Sequence, residues 1–458
     1  MNKYVLVTVV SGSDPIRGEH DGPILHIIRK YCPERVVLIL SKEFADSESK
    51  YHHNERAISM LREKLGIACE SEIEDTGIVS ADNYDELIMP FLKICNRVRD
   101  EYPEHKILLN ISSGTPQMQA VMCLIGISDS LHYIPVQVPS PEKRGNQNQM
   151  FKPEKDDLEE WFEINLDNEK GTSNRCQEPA LMNFKRPIIQ FEIESLIQNY
   201  DYAGAWQLYE ENRTTFSEQA GILLEHAKYR LNLNKEKALA LAKKADTEKS
   251  LYLIGRQDIS LLVEFFNSMK VKQYRGELND FSMRLEIMTE YLAIHILEKN
   301  FGIKLDEICT VRNQKKSKIY YLSEEKCKSR IPGVIAYLNA YFAYTPKKRF
   351  NWGMPLNSQT VVLIVAFLGK DTKNQRMEDI AEEMLKWVDT VGKIRNPAAH
   401  TIISITEDTF KEVYGKTSDA LCKKMQNVLR LVFGNEAKEE AFEIYDRINV
   451  MIREALEQ

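Results

Sequence analysis

Apolar positions change rhythm along this chain. Over the first 140 residues they come in short unbroken runs, "YVLVTVV" (4–10), "RVVLILS" (35–41) and "KILLNIS" (106–112). A run without alternation marks a strand buried on both faces. Less regular runs at "ACESEIED" (68–75) and "LHYIPVQV" (131–138) complete a set of five. Helices are predicted between them near 22–31, at 54–66 with Ala57, Ile58, Leu61 and Leu65 at helical spacing, and at 84–102 and 116–128. Strands alternating with helices imply a parallel sheet covered on both faces, so residues 1–139 are read as a Rossmann-like α/β domain.

The rhythm stops at 140–186. "PSPEKRGNQNQ" and "DNEKGTSNRCQEP" are rich in turn formers and carry no period, which reads as a linker region. From 187 to 458 the pattern is helical, as in "DYAGAWQLYEEN", "EKALALAKKAD" and "DFSMRLEIMTEYLAIHILEKNFG", and an all-α domain is expected. The clearest stripe is Met377, Ile380, Met384, Trp387, Val391 and Ile394. No repeat is sustained over three units, which argues against a solenoid.

Composition narrows the class. In 458 residues, 43% are hydrophobic and 28% charged, with a net charge of −7, so a duplex-DNA binder with a basic footprint is disfavoured. No run approaches the length of a membrane span. "MNKYVLVTVVSGSDP" stops at a turn and reads as a strand, not a signal-peptide core. The eight cysteines are scattered without a CxxC pair, which predicts no zinc site, no disulfide framework, and buried thiols in a reducing cytoplasm.

Candidate chemistry lies in two places. In open parallel sheets ligands bind beyond the carboxyl ends of the strands where strand order reverses, here between the first and fourth strands. The loops there are "SGSDP" (11–15), with Gly12, Ser13 and Asp14, and "SSGTP" (112–116). In "NISSGTPQM" the chain turns at Gly114, Thr115 suits the N-cap and Pro116 the first helical position. The N–H groups of Gln117 and Met118 are then expected to be free for an anion. There is no GxGxxG and no Walker lysine, so a dinucleotide cofactor or a triphosphate hydrolase has little support.

The second place is "RNPAAH", Arg395 to His400. Pro397 is expected to end the striped helix, leaving Asn396 as N-cap of another and His400 in its first turn, where the dipole favours neutral imidazole. A neutral imidazole near a fixed guanidinium suits metal-free phosphodiester cleavage in RNA, which supplies its own nucleophile. A second such spacing, Arg99 and His105, is read as an exposed helix end. "YTPKKRFNWG" (344–353) reads as a solvated basic loop, His52–His53 as surface, and His132 as the opening of a strand away from the crevice.

"NISSGTPQM" after a buried strand, with "RNPAAH" late in a helical domain, resembles the ancillary ribonuclease of type III-A CRISPR systems, a CARF sensor joined to a HEPN ribonuclease. The resemblance spans nearly the whole chain. It implies a homodimer that binds one cyclic oligoadenylate across its two-fold axis and cuts single-stranded RNA in a composite HEPN site, with no metal or other cofactor required. It places Arg395 and His400 on the HEPN pair with Asn396 beside them. It places Gly114, Thr115, Pro116, Gln117 and Met118 on the ring-contacting loop, and Gly12, Ser13 and Asp14 more loosely on the first. Similarity to members from low-GC Gram-positive bacteria implies a six-adenylate ring, and some members also degrade the ring. The alternatives are a non-enzymatic nucleotide-sensing regulator whose helical domain binds a protein or nucleic acid, and a nucleotide-using enzyme in the α/β half.

Overall fold

The structure, a computed structural model, describes residues 3–128, 132–141, 149–314, 317–343, 349–398 and 404–458, with the backbone alone at 182–183, 313–314, 317 and 395–398. The chain divides into two compact units, Met1–Ile188 and Ile189–Gln458.

The five runs of the first unit are strands β1 (Tyr4–Val9), β2 (Arg35–Leu40), β3 (Glu70–Asp75), β4 (Lys106–Asn110) and β5 (Tyr133–Val136). They form one parallel sheet in the order β3-β2-β1-β4-β5, so strand order reverses between β1 and β4, as the sequence predicts. Val7 sits in register between Val37 and Leu109. Leu6, Leu38 and Leu108 pack into one apolar layer with helices Pro23–Tyr31 and His53–Leu65. Val5, Val7, Val9 and Leu109 pack into the other with helices Tyr84–Glu101 and Pro116–Ser128. Both faces of the sheet are covered by apolar side chains, which is why these strands read as unbroken apolar runs. His132 lies just before β5 at the sheet end away from the crevice, as expected.

Part of the stretch read as a linker is folded onto this unit. Helix Leu158–Glu163 buries Leu158 and Phe162 in the first layer, and Gln137 bridges Gln177. The rest is fastened by charge. Asp21 accepts both Arg29 Nε at 2.7 Å and Asn165 Nδ2 at 2.7 Å, while Asp167 accepts Arg175 Nη2 at 2.9 Å. The segment was opaque because its anchors are polar and follow no period.

His53 also departs from expectation. It is buried beside Glu48, with Nδ1 3.2 Å from Oε2, while His52 remains exposed. The cause is a helix the sequence reading missed, Lys42–Tyr51, whose Glu48 accepts the Asn54 and Glu55 N–H groups and starts the next helix. Among the cysteines, Cys32 is exposed and Cys69, Cys95, Cys309, Cys327 and Cys422 are buried.

Among its described residues the second unit is helical apart from an antiparallel hairpin, Cys309–Gln314 with Ser317–Leu322. In helix Gln375–Ala398 all six residues of the predicted stripe are buried, with Trp387 at its centre donating to Glu383 at 3.1 Å. This helix runs through Pro397 instead of ending before it, so Asn396 is not the N-cap of a new helix. A proline loses the bond to the carbonyl four residues back and crowds that carbonyl, and the packing of the buried stripe before it outweighs that cost here. No helix among the described residues is long and apolar enough to cross a membrane.

Candidate functional site: the β1–β4 crevice and the end of helix Gln375–Ala398

The crevice is built by the loops that leave β1 and β4. Both depend on buried polar side chains. Asn110, the last residue of β4, is fully buried and donates Nδ2 to Thr8 Oγ1 and to Ser113 Oγ, each at 2.8 Å. Its Oδ1 accepts the Ser112 N–H at 2.9 Å. Ser113 in turn hydrogen-bonds the Asp14 carboxylate. Asp14 Oδ2 accepts the Ser11 hydroxyl at 2.8 Å and the Ser11 N–H at 3.2 Å, and Oδ1 accepts the Ile24 N–H at 3.1 Å. One polar network thus joins the two loops behind the crevice. Burial pushes Asp14 up to about 6, with the hydrogen bonds from Ile24, Ser11 and Ser113 pulling the other way.

The predicted ligand residues therefore divide. Gly12 is exposed, Ser13 half-buried and bonded to the Ser11 hydroxyl at 2.8 Å, and Asp14 faces inward and holds its own loop. Gly114 has φ +92°, and a Cβ there would lie 3.0 Å from Met118 Cβ and 3.2 Å from Val9 Cγ1, so only glycine fits. Thr115 caps the helix as predicted, accepting the Met118 N–H at 3.3 Å, and donates to the Ala81 carbonyl at 2.6 Å. Its hydroxyl is spent on both, and the Met118 N–H is not free as the sequence reading had it. The Met118 side chain lies in the core. Pro116 is exposed and Gln117 half-buried, and the Gln117 N–H remains as the first-turn donor. Gln119 donates to the carbonyls of Ser112 and Gly114, both at 3.2 Å. Asn110, Ser113 and Gln119 were missed, although a lone Asn closing a buried apolar run is a visible signal.

At the other place, Arg395, Asn396 and Pro397 lie in helix Gln375–Ala398, directly after buried Ile394. His400 lies outside the described residues. The rival pair is locally engaged, with Arg99 donating to Asp100 at 3.1 Å and His105 3.0 Å from Glu34. Of the basic–aromatic stretch, Tyr344, Lys347 and Lys348 are outside the described residues. Phe350 and Trp352 are half-buried on the helical core, 4.9 Å apart edge to face, so these two rings are not a free surface.

One group among the described residues has metal-ligand composition, the buried trio Asp21, His26 and Asp167. It does not suit a cation. Arg29 and Arg175 already neutralise its carboxylates, and the Arg175 N–H occupies His26 Nε2 at 2.9 Å.

Comparison with known proteins follows the same division. The Cas_Csm6 CARF domain matches residues 70–176, the Csm6 6H domain 179–231 and the Cas_Csm6 HEPN domain 242–453. A Rossmann-like CARF domain followed by a helical HEPN region makes this a CARF–HEPN protein. The three consecutive matches specify it further, and the chain belongs to the Csm6 family of CRISPR-associated proteins. The CRISPR system endoribonuclease Csm6 of Enterococcus italicus is 24% identical over 99% of this chain and 100% of its own. That of Mycobacterium tuberculosis is 30% identical over 50% of this chain and 54% of its own. A solved structure of the Enterococcus italicus Csm6 bound to cyclic hexa-2'-fluoro-hexa-dAMP shares the fold, with a TM-score of 0.67 at 22% identity over 99% of each chain.

Proposed function

We propose that the chain is an endoribonuclease of CRISPR antiviral defence that cuts single-stranded RNA when a cyclic oligoadenylate occupies the β1–β4 crevice. The observation that carries this reading is the run of Csm6 CARF, 6H and HEPN matches in order along one chain. His400 moves a proton at the ribose 2′-OH or the leaving oxygen, and Arg395 holds the phosphate as charge builds, with Asn396 beside them. The RNA supplies the nucleophile, so cleavage needs no metal and leaves 2′,3′-cyclic phosphate ends. One Arg–His pair is a sparse site, and a homodimer places two together.

In the crevice, Gly12, Ser13, Gly114, Pro116 and the Gln117 N–H meet the ring. Asp14, Thr115 and Met118 act from behind by fixing the loops. A six-adenylate ring is favoured, in keeping with the cyclic hexanucleotide named for the Enterococcus italicus relative. The ring raises activity by binding the active arrangement better than the idle one. The protein acts in the cytoplasm. The test is cleavage of labelled single-stranded RNA across a panel of cyclic and linear oligoadenylates. Absence of cleavage with every member, with ring binding retained, would favour the non-enzymatic regulator.

A further inference from the structure

The helical unit holds a second cavity, of about 470 Å³, lined from helices Gln257–Tyr274, Ser418–Phe433 and Ile444–Glu457. Its volume falls in the range of small-molecule sites, roughly 300–1,000 Å³. Three features of its lining point to one kind of occupant.

The first is an unspent cation. At the rim Lys423 is paired with Asp419 at 2.8 Å and Arg430 with Glu439 at 2.7 Å, and Asp446 accepts the Tyr200 hydroxyl at 2.5 Å. Each carboxylate on the wall thus already has a donor. Lys270 has no carboxylate among the described residues, and its amine donates to the Phe442 carbonyl at 3.3 Å. The second is an unsatisfied acceptor. Asn267 is 1% exposed, and its Nδ2 donates to the Ala441 carbonyl at 2.8 Å while its Oδ1 has no partner among the described residues. Leaving such an oxygen unpaired is costly, and a ligand N–H recovers that cost. Gln426 has likewise committed its nitrogen, to Glu439 at 3.0 Å, and offers its carbonyl. The third is a flat apolar face. Tyr274 is 57% exposed and braced edge-on by Tyr200 at 5.3 Å. Exposed aromatic rings of this kind stack bases.

We infer that this cavity is a binding site for a nucleoside monophosphate with an amino-bearing base. Lys270 takes the phosphate, Tyr274 stacks the base, and the Asn267 carbonyl accepts its exocyclic amino group. The site belongs to the helical unit alone and does not depend on the RNA-cleavage reading.

The test is calorimetric titration of the full chain with AMP, adenosine and UMP. AMP should bind wild type. Lys270→Met should weaken AMP by about tenfold or more, the equivalent of about 1.4 kcal/mol, and leave it no tighter than adenosine. UMP, which lacks the amino group, should also bind about tenfold more weakly. Tyr274→Ala, at an exposed ring, gives the same reading should Lys270→Met fail to fold. Absence of AMP binding to wild type overturns the proposal. So does binding unchanged in both variants, which would place AMP elsewhere, or UMP binding as tightly as AMP.

Discussion

Thr115 offers a measurable separation between touching a ligand and holding the loop that touches it. Its hydroxyl accepts the Met118 N–H at 3.3 Å and donates to Ala81 O at 2.6 Å. Thr115→Ala removes both. Loss of an N-cap costs about 1 kcal/mol, and a half-buried hydrogen bond about 1 kcal/mol more. If the whole of about 2 kcal/mol is spent in restoring the binding arrangement, the activator requirement rises about 30-fold, and if half is, about fivefold. Thr115→Ser keeps the oxygen and should stay within about twofold of wild type. Maximal cleavage at saturating ring should not change, because the proposed chemistry belongs to the other unit. The assay is a full titration of cyclic hexaadenylate on one labelled RNA with all three proteins. A midpoint unchanged in Thr115→Ala, or shifted equally by Ser and Ala, would refute the assignment of Thr115 as a brace for the ring site.

His400→Ala should lower RNA cleavage by about 10²–10⁴-fold with ring binding intact, while Arg99→Ala leaves it near wild type; a dead Arg99→Ala would contradict the assignment of catalysis to Arg395 and His400. Mixing wild type with His400→Ala should depress activity by more than dilution, and strict linearity would favour independent monomer sites. Asp14 is held near 6 in the fold against an ordinary 3.8, so its protonation stabilises the fold fully below the ordinary value, and that stability is lost as pH rises through about 6. Relative to Asp14→Asn, wild type should lose about 1.5 kcal/mol between pH 5 and pH 8, read from hydrogen exchange of the β1 amides; a flat difference would contradict a buried, titrating Asp14.

What was legible follows from periodicity. The unbroken runs of β1, β2 and β4 and the stripe from Met377 to Ile394 each record burial in a repeating pattern, and the structure buries them accordingly. The "SSGTP" turn was legible from local chemistry, since a positive-φ glycine and a capping threonine need no distant partner. The network of Thr8, Asn110, Ser113 and Asp14 was not, because it ties loops about 100 residues apart and leaves no periodic trace. The fastening of Asn165, Asp167 and Arg175 onto Asp21 and His26 was hidden for the same reason. At Pro397 a sound local rule lost to a long, well-packed helix.

Under the proposed function, ring binding in the first unit switches on metal-free RNA cleavage by Arg395 and His400. Its most direct test is cleavage of single-stranded RNA by the purified chain in excess EDTA, with and without cyclic hexaadenylate. The expected result is little cleavage without the ring, strong cleavage with it, 2′,3′-cyclic phosphate ends, and loss of the signal in Arg395→Ala. Cleavage that requires added Mg²⁺ or Mn²⁺, or that proceeds equally without any oligoadenylate, would contradict it.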